Sequence, residues 1–260
     1  MDLNLAGRRA VVTGASKGIG RAVSLALADE GVGLALCARD GGPLAEVARE
    51  VESRGVPVHA VQADVTNKSD IDRFIQDAAT TLSGIDILVN NAGGAIPGDF
   101  FSLTDEEWQA DIDIKLFSMI RCIRAAHPFL KQSDAGRIIN IGAVFAHYPK
   151  PNFLAATTLR AAGHNLGKAL AMQFAPDGIL VNTVHIGYVE TPQWQGIHQR
   201  RAPDKSWAEF HEQIAASEIP LHRFGKPEEV AGLVAFLASD RAAYITGVDI
   251  DVAGGMGIST

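Results

Sequence analysis

Six short runs of apolar and β-branched residues recur along the chain, each set off by a longer amphipathic stretch: RAVVT (Arg9 to Thr13), GLALCA (Gly33 to Ala38), VPVHAVQAD (Val56 to Asp64), IDILVN (Ile85 to Asn90), GRIINI (Gly136 to Ile141) and GILVNTV (Gly178 to Val184). These runs are close to continuously apolar, so both faces of each strand must be covered. Helical crossovers between such strands give a parallel sheet. The fold class expected is therefore α/β, a doubly wound, Rossmann-type parallel sheet with helices on both faces. A last strand, GVDIDV (Gly247 to Val252), follows the helical stretch KPEEVAGLVAFLAS and makes the sheet seven-stranded. A chain of 260 residues, 47% of them hydrophobic, fills one such core, and residues 1–260 are expected to form a single domain.

A net charge of −7 argues against nucleic acid or an anionic membrane as partner, because both need clustered positive charge. Cys37 and Cys122 lie in apolar runs, and the sequence holds no CxxC, HExxH or Cys/His cluster. Two free thiols, no metal and a reducing compartment are expected. The amino-terminal MDLNLAGRRAVVTG has no apolar signal core, and no apolar run approaches ~18 residues, so the expected location is cytoplasmic.

The first strand runs into TGASKGIG, Thr13 to Gly20, which opens a helix. Gly14, Gly18 and Gly20 allow a tight turn and a close approach of backbone to a pyrophosphate, which the helix amino terminus would hold through free N–H groups. The spacing differs from GxGxxG, and the loop alone is weak evidence. At the end of the second strand an acidic residue would accept from a ribose 2′-OH; here Ala38 is followed by Arg39. Arg39, with Lys17 in the glycine loop, suits a 2′-phosphate, so NADP(H) is favoured over NAD(H).

Together these motifs resemble the short-chain dehydrogenase/reductase family over essentially the whole chain. TGASKGIG is similar to its cofactor loop, with Gly14, Ser16, Lys17, Gly18, Ile19 and Gly20 as contacts. Asp64 and Val65 in QADVT are similar to its adenine-contacting pair. NNAG (Asn90 to Gly93) is similar to the motif that steadies the central strand, placing Asn91, Ala92 and Gly93 near the cofactor. GILVNTVHIGYVETP is similar to the segment that carries its nicotinamide contacts, here Gly187 and Thr191.

The resemblance also implies where catalysis belongs, and there the chain departs from it. The family uses a Tyr as proton donor, a Lys four residues later that tunes it and holds the ribose, a Ser on the carbonyl oxygen, and an Asn that anchors a water relay. Those positions fall at Ala156, Arg160, Ala143 and Lys115. Alanine has no polar side-chain atom, and Arg160 can hydrogen-bond the ribose but cannot give up its proton at neutral pH. Lys115 retains a transferable proton, though Asp111 one turn earlier offers it an i,i+4 ion pair. Other proton sources stand at His147 and Tyr148 in AVFAHYPKPNF, and at Tyr188 after Gly187. The remaining histidines, His164 among them, read as packing or surface residues.

Two classes of function follow. The chain is an NADP(H)-dependent oxidoreductase of a small carbonyl or alcohol, with Tyr148, Tyr188 or Lys115 as an unusual acid, or it is a catalytically silent or nucleotide-sensing subunit of an active relative. The segment from Gly187 to about Pro220 reads as one long irregular loop, either a substrate lid or a surface excursion. Apolar stripes at Trp108, Leu116, Met119 and Ile123, and at Leu159, Leu166 and Leu170, serve core or interface. The resemblance implies a homotetramer, or a hetero-oligomer with an active paralogue.

Overall fold

The computed structural model describes residues 2–94 and 96–257. Its seven strands are β1 (Arg9–Thr13), β2 (Gly33–Ala38), β3 (Val58–Gln62), β4 (Ile87–Asn90), β5 (Arg137–Ala143), β6 (Leu180–Ile186) and β7 (Asp249–Val252). They form one sheet in the order β3-β2-β1-β4-β5-β6-β7, and every pairing is parallel. The order reverses between β1 and β4, which opens the crevice where such sheets bind ligands.

Burial on both faces explains the unbroken apolar runs. In β1, Ala10 and Val12 belong to a core shared with α1 (Gly18–Asp29), α2 (Gly41–Glu52) and α9 (Pro227–Ala238). Val11 points the other way, into a core built with α3 (Lys68–Thr81), α5 (Ser118–Leu130) and α6 (Leu154–Phe174). Met119, Ile123 and Leu159 are buried within the chain, and Leu166 and Leu170 pack against the second core, so much of both stripes is intramolecular.

One helix is interrupted and one expectation is revised. The stretch from 105 to 130 is not one regular helix: α4 (Asp105–Ile112) passes through a π turn at Asp113–Phe117 before α5 begins. The segment after Gly187 is not irregular either. It holds α7 (Pro192–Arg201) and α8 (Trp207–Glu218). Pro192 at the first turn of α7 and the reciprocal Ser206/Glu209 capping box of α8 are the local signals that start them. No described helix is long and apolar enough to cross a membrane.

β1 and β4 carry the glycine loop and the NNAG turn, and an ion pair at their opposite ends locks them together. The Arg9 side chain donates to both Asp86 oxygens at 2.8 and 2.6 Å, and its backbone N–H donates at 2.9 Å. Ser133 Oγ donates to the same carboxylate at 2.5 Å. Burial alone would raise the Asp86 carboxyl, but Arg9 and Ser133 outweigh it and hold it below the ordinary carboxylate range. A depressed folded-state value means the stabilisation is complete above the unfolded value and is lost as pH falls through the folded one. Arg9→Met should therefore cost about 3 kcal/mol in urea unfolding at pH 7, because it leaves a buried carboxylate short of its cation. The deficit relative to wild type should shrink in acid, as Asp86 protonates first in the variant, where burial is less opposed, and only at lower pH in wild type.

Candidate active site

A cleft of about 360 Å³ runs along the carboxyl ends of the strands. Every cofactor residue expected from the sequence lines it except Asp64: the glycine loop, Arg39, Val65, the turn from Asn91 to Gly93, Arg160, Gly187 and Thr191 all face it. Asp64 is turned into its own loop, where Oδ1 accepts from the Thr66 N–H at 2.9 Å and the Thr66 hydroxyl at 2.8 Å. That oxygen braces the loop, while the neighbours Ala63 and Val65 line the cleft on either side of Asp64.

The glycine loop is shaped by contacts that leave no room for larger residues. Gly14 and Gly18 have φ of +65° and +55°, in the left-handed region. A methyl group at Gly20 would lie 2.2 Å from the Gly14 carbonyl oxygen. Asn91 Nδ2 donates to the carbonyls of Thr13 and Gly14 at 2.9 and 3.1 Å, while its backbone N–H donates to Thr13 Oγ1 at 3.0 Å. The amino terminus of α1 has no side-chain cap, so its first N–H groups are available to an anion in the cleft. After β2, Asp40 joins Arg39 on the wall, its carboxylate engaged with the Gly42 N–H at 3.2 Å. This cradle fits a dinucleotide.

At the other end, Ala143 and Ala156 present methyl groups to the cleft beside Arg160 and Tyr188. Arg160 Nη1 donates to the Ile141 carbonyl at 2.7 Å, and its guanidinium passes close to Gly93. Burial pulls Arg160 below its ordinary value and Asp111 opposes that pull, leaving a guanidinium that is charged at neutral pH. Lys115 stands in the π turn behind Arg160, lining a separate small cavity of about 30 Å³, and it is ion-paired with Asp111. Both side chains are 1% exposed. Burial pushes Lys115 down to about 8, with Asp111 acting against the shift and the Arg160 charge adding to it.

Tyr148 is placed elsewhere. It is 37% exposed, packs against Gly257 and does not line the cleft, so the expectation of Tyr148 as an acid is not met. His147 also leaves the cleft, and its ring stands 4.6 Å from that of His164 and 4.8 Å from that of His185. His164 is thus no isolated packing residue, and burial pushes fully buried His185 down to about 4. Sequence separation hid this cluster, which joins three different elements.

Tyr188 does line the cleft, and it has partners that sequence reasoning missed. Lys150 Nζ donates to its hydroxyl at 3.0 Å, and the hydroxyl donates to Glu218 Oε2 at 2.8 Å. Lys150 and Glu218 are themselves ion-paired. Burial raises the Tyr188 hydroxyl above its ordinary value; Lys150 pulls it down and Glu218 pushes it up. Burial works against the Lys150 charge, but Glu218 and Tyr188 hold the ammonium above its ordinary value. Glu218 ends α8 and Lys150 lies in the β5–α6 loop, a pairing that no local motif announces. Trp194 and Phe224 pack on the Tyr188 ring at centroid distances of 4.5 and 5.7 Å, and Arg201 of α7 also lines the cleft.

The family described as "Enoyl-(Acyl carrier protein) reductase" matches residues 14–257. The 3-oxoacyl-(acyl-carrier-protein) reductase of Staphylococcus aureus is 35% identical over 96% of this chain and 98% of its own. Among solved structures, L-sorbose reductase from Gluconobacter frateurii, complexed with NADPH and L-sorbose, superposes with a TM-score of 0.95 at 32% identity, covering both chains fully. An NADPH-bound short chain oxidoreductase from Pseudomonas aeruginosa PAO1, described as containing an atypical catalytic center, superposes at 0.91 with 37% identity, over 97% of this chain and 98% of that one. The chain belongs to the short-chain dehydrogenase/reductase family.

Lys115 and Asp111 have measurable consequences. Lys115→Met should cost about 3–5 kcal/mol in urea unfolding at pH 7, because it strands a buried carboxylate, and the Asp111→Asn/Lys115→Met double variant should recover most of that loss. Lys115 has a folded value near 8 against an ordinary 10.5, so the unfolded chain binds more protons between them. Wild-type stability should accordingly rise with pH across that window relative to the double variant.

Proposed function

We propose that the protein is an NADP(H)-dependent oxidoreductase of a small carbonyl or alcohol that works through a non-standard set of residues, with Tyr188 as proton donor. The observation that carries this reading is the Tyr188 hydroxyl on the cleft wall, hydrogen-bonded to both a lysine and a carboxylate. Bound nicotinamide supplies the hydride, and the chain must orient it and manage the proton. The free N–H groups of α1 hold the pyrophosphate; Arg39 and Lys17 give two positive charges to a 2′-phosphate. Arg160 hydrogen-bonds the nicotinamide ribose, where lysine stands in the family pattern.

Tyr188 is protonated at neutral pH, the state a donor to a developing alkoxide requires. The phenolic proton turns from Glu218 to the alkoxide, Lys150 stabilises the tyrosinate left behind, and the tyrosinate regains a proton from solvent past the part-exposed Lys150 and Glu218. Lys115 is a weaker candidate, since its ammonium is bound to Asp111 in a separate cavity. Similarity to a relative described as having an atypical catalytic center supports chemistry without the usual residues. The relatives act on substrates as different as 3-oxoacyl carrier protein and L-sorbose, so they leave the substrate open. Arg201 on the cleft wall favours one that bears an anionic group.

One observation favours a second reading, a silent or nucleotide-sensing subunit within a homo- or hetero-tetramer: two methyl groups occupy the wall where the family pattern has its hydroxyls. Fluorescence titration and a carbonyl panel separate the two. The oxidoreductase reading expects tight NADPH binding, weak NADH binding that Arg39→Ala evens out, and turnover that Tyr188→Phe lowers by about 10²-fold or more with NADPH affinity unchanged. NADPH binding without turnover of any carbonyl, in the wild type alone or mixed with an active relative, would leave the sensing reading. Loss of binding to both cofactors would remove the oxidoreductase.

A further inference from the structure

Four elements converge beside the cleft and bring three imidazoles and a carboxylate face to face. His147 follows the short turn Val144–Ala146 after β5, His164 lies on α6 one turn beyond Arg160, His185 is on β6, and Asp249 begins β7. One ligand-capable atom from each histidine lies within 4.8 Å of those of the other two. Three of the four groups are closer still. His164 Nδ1 is 3.2 Å from His185 Nε2 and 3.0 Å from Asp249 Oδ1, and His185 Nε2 is 3.7 Å from the same oxygen.

Zinc binds imidazole nitrogen at about 2.0–2.1 Å and carboxylate oxygen at about 2.0–2.2 Å, so the edges of a tetrahedron around it measure roughly 3.3–3.5 Å. The three observed separations straddle that length. His147, exposed at the end of a turn, is the side chain with freedom to close the fourth corner.

Hydrogen bonding within the cluster does not account for its arrangement. His164 Nδ1 faces a nitrogen and an oxygen that compete for one N–H, and buried Asp249 Oδ1 has no aligned donor at all. The other carboxylate oxygen is held by Lys168 Nζ at 2.6 Å, which fixes the group with Oδ1 turned to the histidines. That is the work of an outer partner in a metal site. Gly142 makes room for the inner imidazole, since a methyl group there would lie 2.2 Å from His185 Nδ1.

We propose that His147, His164, His185 and Asp249 form a tetrahedral site for one zinc ion. Three imidazoles and one carboxylate suit zinc and exclude magnesium and calcium, which require oxygen ligands throughout. Four protein ligands leave no open position, so the ion is structural. It ties the β5–α6 loop, which carries Lys150, to β6 just before Gly187 and to the edge strand β7. The site stands whether or not the redox reading above does.

The test uses the full chain, free of any affinity tag, stripped with a chelator and titrated with zinc chloride. One zinc per chain should remain after gel filtration, with a rise in Tm on zinc addition, and cobalt should give the intense visible absorption of a tetrahedral ion. His164→Ala and the exposed His147→Ala should each weaken zinc binding at least about 10-fold. His198→Ala, in the lid, should leave it unchanged. If His164→Ala fails to fold, His147→Ala decides. Substoichiometric zinc, a pale octahedral cobalt spectrum, or zinc affinity unchanged in His147→Ala would overturn the site.

Discussion

The two hydrogen bonds from Asn91 Nδ2 to the Thr13 and Gly14 carbonyls are the constraint on which the cleft depends. They bind the end of β4 to the end of β1 at the point where strand order reverses, and so determine where the glycine loop turns. Once that loop is placed, the uncapped amino terminus of α1 has only one direction to face. Arg9 and Asp86 perform the matching task at the opposite end of the same two strands, with a charge pair in place of amides. The neighbouring Asn90 continues the line inward by donating to Asn140 on β5 at 2.9 Å. A row of amide hydrogen bonds thus links three strands, and its partners are specific in a way that apolar packing against α1 and α5 is not.

Much of this architecture was legible because it rests on local pattern. Strands covered on both faces announce themselves as unbroken apolar runs, and the observed bounds differ from the expected ones by no more than about two residues, within the ordinary fraying of element ends. The glycine loop was equally plain, since positive φ at Gly14 and Gly18 demands the residue type that the sequence displays. Reading failed where proximity depends on tertiary folding. It also missed the bond from Thr66 to one Asp64 oxygen, a local turn that the family pattern does not announce. The helices α7 and α8 were lost among aromatic and basic residues although Pro192 and the Ser206/Glu209 box mark their starts.

The reacting end was the least legible for the same reason. Tyr148 and Tyr188 are equivalent as letters, each following the carboxyl end of an interior strand. Only the fold turns one towards Gly257 and the other into the cleft. The partners of Tyr188 come from segments 38 positions before it and 30 after it, and the three histidines span elements from β5 to β6. Chemistry assembled over such separations leaves no spacing to recognise. The Lys115–Asp111 pair is the exception, since both residues lie on neighbouring turns and their attraction was visible in the sequence.

The bond between Tyr188 and Glu218 joins the wall of the cleft to the last residue of α8. It makes the acidity of the phenol depend on where α8 sits. With α8 seated, the carboxylate accepts the phenolic proton and opposes its departure, while Lys150 divides its charge between the two. A displacement of α8 large enough to withdraw Glu218 leaves the ammonium alone beside the hydroxyl, and the proton is then held less tightly. The position of α8 and the hold on the phenolic proton are in this way coupled through a single side chain at the end of a helix.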